Sequence, residues 1–169
     1  MTVAVLNALC AGLALAGAML LLYASLRRLA GGGSLTRTVS AHGILPPASA
    51  RLAEPIELVV GLSMSVSWLA GWLLPFLAGA VWYAFLAGYL ALVLRKKGRV
   101  PCGCLDEESP VTPAKIGRAA VIAVACVAVA GSAPPPGLGL RLVHLPVALF
   151  VAALLVLLDR VLALREVHP

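Results

Sequence analysis

Apolar residues fall in long unbroken blocks rather than in alternation. Five blocks approach the length of a membrane-spanning helix: 3–26, 56–74, 76–94, 116–133 and 142–164. A helix that crosses a bilayer needs about 20 mostly apolar residues. In hydrocarbon every backbone N–H and C=O must bond within the chain, which only helices and closed barrels achieve, and a barrel strand would alternate apolar and polar positions. The blocks predict an all-α membrane protein, a bundle of five transmembrane helices in a single domain over 1–169. The fourth block is the least regular, its apolar core running only over 119–133.

The separators carry their own signals. Residues 27–55 are polar and hold the breakers Gly31-Gly32-Gly33 and Pro46-Pro47. Gly71, Trp72 and Pro75 predict a tight hairpin between the second and third helices. Residues 95–115 form the most polar stretch and contain Cys102-Gly103-Cys104, and Pro134-Pro135-Pro136-Gly137 ends the fourth block. Small residues recur at every fourth position, as Ser63, Ser67 and Gly71 and again as Ala80, Ala84 and Gly88. That spacing suits close helix packing. Trp68 and Trp72 fall near the end of the second block, where interfacial aromatics are expected.

Composition agrees with the pattern. Hydrophobic residues make up 62% and charged residues 12%, with a mean hydropathy of +1.02, whereas roughly a quarter of a soluble domain is charged. The net charge of +6 does not mark a nucleic-acid surface, because the basic residues cluster beside apolar blocks without interleaved aromatics. They set topology instead, since basic loops stay cytoplasmic. With the N-terminus outside, the inner side receives Arg27, Arg28, Arg37 and Arg51, then Arg95, Lys96, Lys97, Arg99, Lys115 and Arg118, then Arg160 and Arg165. Only Arg141 of the thirteen basic residues faces out. That segregation supports an odd number of helices and predicts a cytoplasmic C-terminus and a cytoplasmic Cys-Gly-Cys loop. The first block is read as a retained helix: no basic residue precedes it, and it continues past Ala14-Leu15-Ala16 to Leu26.

The loop cysteines are the main candidates for chemistry. One intervening residue leaves Cys102 and Cys104 close enough to bridge, and such a small ring is expected to be strained and readily reduced. Gly103 permits backbone angles that a side chain would forbid. Arg95, Lys96, Lys97 and Arg99 favour a thiolate nearby, while Asp106, Glu107 and Glu108 oppose it. A cytoplasmic loop does not suit a permanent bridge. Three readings stay open: a transient dithiol/disulfide couple, a soft-metal site, or two inert cysteines. Thiolates suit Cu(I) or Zn(II), but a closed zinc site takes four ligands and no His lies near, so no metal is favoured. No cofactor motif is evident; a quinone is compatible with redox work but no quinone motif is visible.

Glu57 lies about one turn inside the second block, and an ionisable group at membrane depth is by default a functional-site hypothesis. Arg118 lies at similar depth near the start of the fourth, which suggests a Glu57–Arg118 ion pair beside the Cys-Gly-Cys loop. The alternatives are that Glu57 pairs with Arg51, or that both side chains reach separately to the interface. Cys10 and Cys126 lie inside apolar blocks and read first as small buried hydrophobes, the sharper alternative being a second dithiol. His42 reads as a loop residue at the interface or as a proton carrier there, and His144 and His168 support no constellation.

These residues, in this order, resemble the methylamine-utilisation MauE family among the DoxX-like small membrane proteins. His42-Gly43-Ile44-Leu45-Pro46-Pro47 resembles the family's aromatic-Gly-Leu-Leu-Pro segment before its second helix. Glu57 with Gly61 is similar to its Glu-x-x-x-Gly, Cys102-Gly103-Cys104 to its Cys-Gly-Cys, and Arg118 to the Arg opening the next helix. Leu105 stands where the family usually has Phe, and Ala119 where Asn commonly follows the Arg. The resemblance implies a four-helix core with an added C-terminal helix, in a bacterial inner membrane. It also implies thiol/disulfide exchange with a thioredoxin-like partner during maturation of disulfide-containing proteins, as in methylamine metabolism. Two other classes fit the residues: a non-catalytic assembly or scaffold subunit docking through its small-residue faces, and a soft-metal or small-molecule carrier.

Overall fold

A computed structural model describes residues 2–31, 35–46, 48–98, 100, 102, 110–133 and 137–167. Six helices follow one another: α1 (Thr2–Leu29), α2 (Leu35–His42), α3 (Ala48–Ala70), α4 (Pro75–Lys97), α5 (Pro113–Ala130) and α6 (Leu138–Val167). No strand occurs among the described residues. All but α2 are long and apolar enough to cross a membrane, so the five predicted spans are present. The shortest of them, α5 with 18 residues, rises about 27 Å, close to the hydrocarbon thickness of about 30 Å.

α1 is the central element. Half of its spanning window is buried, against 11% for α6, and it packs on α3, α5 and α6. Among its inward positions Ala11, Ala14, Ala16 and Ala18 are small and buried, beside Leu15, Leu20 and Leu21. Small residues let backbones approach where no hydrophobic effect drives helices together. A Cβ on Gly61 of α3 would stand 3.0 Å from the Ala18 carbonyl oxygen, and one on Gly17 would reach 3.1 Å from the Tyr83 ring. Across this contact the Tyr83 hydroxyl of α4 donates to the Gly17 carbonyl at 2.7 Å. The predicted stripe on α4 behaves differently. Ala80 is buried, but Ala84 is exposed and nothing lies within 4 Å of a Cβ built on Gly88.

The hairpin between α3 and α4 forms where expected. Gly71 takes φ +77°, with Gly71 N–H bonded to Trp68 O and Trp72 N–H to Ser67 O at 2.8 Å, the pairing that closes a helix through a left-handed glycine. Trp72 is exposed, but Trp68 is only 2% exposed. Instead of anchoring at an interface, Trp68 ties α3 to α6: its indole N–H donates to Arg141 O at 3.1 Å, and its ring meets His144 edge-on. Arg141 returns a bond to Leu69 O at 3.1 Å.

The stretch 27–55 differs from the polar loop expected. It contains α2, which packs on α3, and α3 begins at Ala48 with Pro55 inside it. Pro55 removes one helical N–H, a loss tolerated in membrane helices where neighbours re-satisfy the backbone. Pro46 still marks a boundary, capped by Ser49, whose N–H and hydroxyl both bond its carbonyl.

Candidate functional site

At one end of the bundle α1 and α4 finish and α3 and α5 begin, and the buried polar side chains gather there. Arg28, in the last turn of α1, forms an ion pair with Glu57 of α3, each side chain 9% exposed. An ionised carboxylate out of water requires a partner, and the helix contact between α1 and α3 supplies one. Arg28 had served in the sequence only as a topology charge. Arg118, the partner expected for Glu57, lines the same cavity as Glu57, together with Lys115 and Cys102. Lys115 is buried and donates to Pro110 O at 2.8 Å.

Cys102 is 3% exposed and packs with Leu90, Val93 and Val111. The backbone around it is pinned by Val111 N–H bonded to Val100 O at 2.8 Å. Gly98, at φ +74°, ends α4 and turns the chain into this segment. Gly103 and Cys104 lie outside the described residues. Cys126 is fully buried in the main core, Cys10 is half-buried beside it, and neither is in a disulfide.

His42 departs most from its sequence reading. It is 1% exposed, and its Nδ1 lies 2.8 Å from the Tyr89 hydroxyl of α4. The cause is α2: Leu35, Thr38, Val39 and His42 recur at helical spacing and all face one cavity. Gly43, at φ +61°, then closes the helix with its N–H on Val39 O.

Two cavities meet at this end. One, of about 210 Å³, lies between α2, α3 and α4. The other, of about 50 Å³, lies toward α1 and α5. Glu57 and Cys102 stand on the wall of both. Two of the sequence-chosen residues with described side chains, Glu57 and Cys102, are therefore neighbours of one polar centre, and Arg118 joins them at the smaller cavity. Sequence reasoning missed Arg28, Tyr89 and Lys115 as site residues, and nothing in the spacing within their own helices signals them; the helical period of 35, 38, 39 and 42 could have revealed α2 and the burial of His42.

Five long apolar helices, with a buried ion pair and a buried cysteine at one end, define a multi-pass membrane protein. The family model described as Methylamine utilisation protein MauE matches residues 5–132, from α1 to just past the end of α5. The chain belongs to the MauE family. No curated protein and no solved structure matches it. α6 lies beyond the matched region.

Proposed function

We propose that this chain is a cell-membrane redox component of the MauE type, in which Cys102 and Cys104 exchange thiols with a thioredoxin-like partner. The exchange would support the maturation of disulfide-containing proteins. The observation that carries the reading is the seat of Cys102, on the shared wall of two cavities and beside the ion-paired Glu57. A thiol held there is shielded from bulk reagents and open to chemistry from inside the bundle.

In the exchange, one thiolate attacks a sulfur of the partner's disulfide. The partner's S–S bond breaks, its other sulfur leaves as a thiolate, and a mixed disulfide forms. The second cysteine attacks that mixed disulfide, the partner leaves reduced, and the Cys102–Cys104 bond closes. The burial of Cys102 favours it as the resolving thiol, with Cys104 meeting the partner.

The test is trapping. Cys102→Ser should accumulate a mixed disulfide between Cys104 and a thioredoxin-like protein in cells, and Cys104→Ser should not. Unchanged function in both variants would point to a scaffold subunit, and selective loss of bound metal to a carrier. The orientation is tested with maleimides: an impermeant reagent applied from outside should leave the pair unlabelled, and labelling by it would reverse the assignment.

A further inference from the structure

The wall of the larger cavity suits hydrocarbon. Leu45, Ala53, Ile56, Leu86 and Leu90 line it, and polar side chains beside them are bonded within the protein: Glu57 to Arg28, His42 to Tyr89 and Ser49 to the Pro46 carbonyl. An apolar void excludes water, and an unfilled one forfeits the dispersion contacts of its lining. At about 210 Å³ it exceeds the roughly 150 Å³ apolar cavity that accepts benzene, so it takes several methylenes of a chain.

The arrangement of the helices shows where a chain enters. α3 and α4 are joined by the tight Gly71 hairpin, yet α4 packs chiefly on α5. Toward the other end the cavity separates α4 from α3, and α2 forms its third wall. It runs along α4 from Trp82 to Leu90, about 12 Å. Leu52, Ile56 and Phe85 line it and are 66%, 41% and 49% exposed on the apolar outside of α3 and α4. The cavity therefore opens sideways to the bilayer.

Charge at this end selects which lipid enters. Arg51 precedes Leu52 on α3, and Arg95, Lys96 and Lys97 stand in the last turn of α4; all four are exposed. Lys97 reaches over the end of α2, its Nζ 3.7 Å from a Cβ built on Gly43, the residue after His42. Along α4 it lies about 10 Å beyond Leu90, the depth at which a headgroup layer about 5–8 Å thick follows the hydrocarbon. The carboxylates with described side chains are engaged elsewhere: Glu57 is held by Arg28, and Glu54 lines a separate cavity with Arg28 and Ser25 of α1. Basic clusters beside membrane helices attract anionic lipid.

We infer that an anionic phospholipid docks at this end, one acyl chain lying in the cavity between α2, α3 and α4 and its phosphate against Lys97 and Arg51. The chain then runs along the wall that holds Cys102. Docking does not depend on the exchange proposed above, because neither the cavity nor its basic rim uses the cysteines.

Trp82 lines the cavity and serves as the reporter. The full chain is placed in phosphatidylcholine bilayers, and phosphatidylglycerol or phosphatidylcholine brominated on one acyl chain is titrated in. The quenching of tryptophan fluorescence that disappears in Trp82→Phe is the signal from Trp82. Brominated phosphatidylglycerol should half-quench it at a mole fraction roughly tenfold or more below that of brominated phosphatidylcholine. Lys97→Gln and Arg51→Gln, both at exposed positions, should each cut that preference by about fivefold, and high salt should narrow it too. Ala53→Phe, which fills the cavity, should remove the preference while circular dichroism shows the helices intact. Equal quenching by the two lipids would overturn the inference, since Trp82 would then meet only the lipid that surrounds any membrane helix. A preference that survives both glutamine substitutions, or that survives Ala53→Phe, would overturn it as well by placing the anionic lipid elsewhere. Mixed-disulfide trapping reports on the thiol exchange separately.

Discussion

Glu57 of α3 and Arg28 of α1 form an ion pair in which both side chains are almost wholly removed from solvent. Removing one member of a buried pair leaves the other charge uncompensated, at a cost of about 3–5 kcal/mol. Glu57→Gln and Arg28→Gln should therefore each lower stability by that order in denaturation of the detergent-solubilised protein. The double variant should lose much less than the sum, because neither charge is left behind. A strictly additive Arg28/Glu57 cycle would mean that the pair is not coupled.

The five spans were legible because lipid demands continuous apolar blocks, and those blocks match α1, α3, α4, α5 and α6. The depth of Glu57 was legible for the same reason, but its pairing with Arg28 was not. Which cation meets a carboxylate depends on which helices touch, and α3 packs on α1, a fact that no spacing within one block encodes. α2 was hidden because its apolar face uses Thr38 and His42 among polar neighbours and lies between two sets of breakers. The small residues Ala84 and Gly88 repeat with the right period, yet they stand on an open face: periodicity identifies a face and not what covers it.

The hydrogen bond between His42 and Tyr89 joins α2 to α4. Tyr89→Phe removes the hydroxyl and keeps the ring, leaving His42 Nδ1 without that partner at a cost of about 1–3 kcal/mol. Because α2 is short, the effect should be local. Limited proteolysis within residues 31–47 should speed up by roughly tenfold or more, while the global unfolding midpoint moves little. Equal protection in Tyr89→Phe and the parent would show that apolar packing of Val39 holds α2 without the bond.

Cys102 is 3% exposed, and its reactivity should follow loosening of its packing against Leu90, Val93 and Val111 rather than its static exposure. Alkylation of Cys102 in the folded, reduced protein should run at least about tenfold slower than in denatured protein. Val111→Gly, which deletes a fully buried side chain packed against it, should remove most of that protection. Mass spectrometry of peptides from a timed iodoacetamide reaction reads both rates. Fast alkylation in the parent would mean that the Cys102 seat opens freely.

Gly61 and Gly88 give a matched pair of alanine substitutions. At Gly61 the new Cβ would meet the Ala18 backbone carbonyl at 3.0 Å and the Leu22 side chain at 3.1 Å. A backbone oxygen inside the central helix cannot swing away, so α1 and α3 must separate, at a cost of about 1–3 kcal/mol. Because the Arg28–Glu57 pair spans the same two helices, separation strains it too, and the loss should exceed that of a simple contact. At Gly88 nothing lies within 4 Å, and alanine there gains up to about 1 kcal/mol of helix propensity. Thermal unfolding should therefore show a lowered midpoint for Gly61→Ala and an unchanged or raised one for Gly88→Ala. If Gly88→Ala destabilises the chain as much as Gly61→Ala, the open face of α4 is covered by another subunit in the assembled protein, and Ala84 and Gly88 are where that subunit packs.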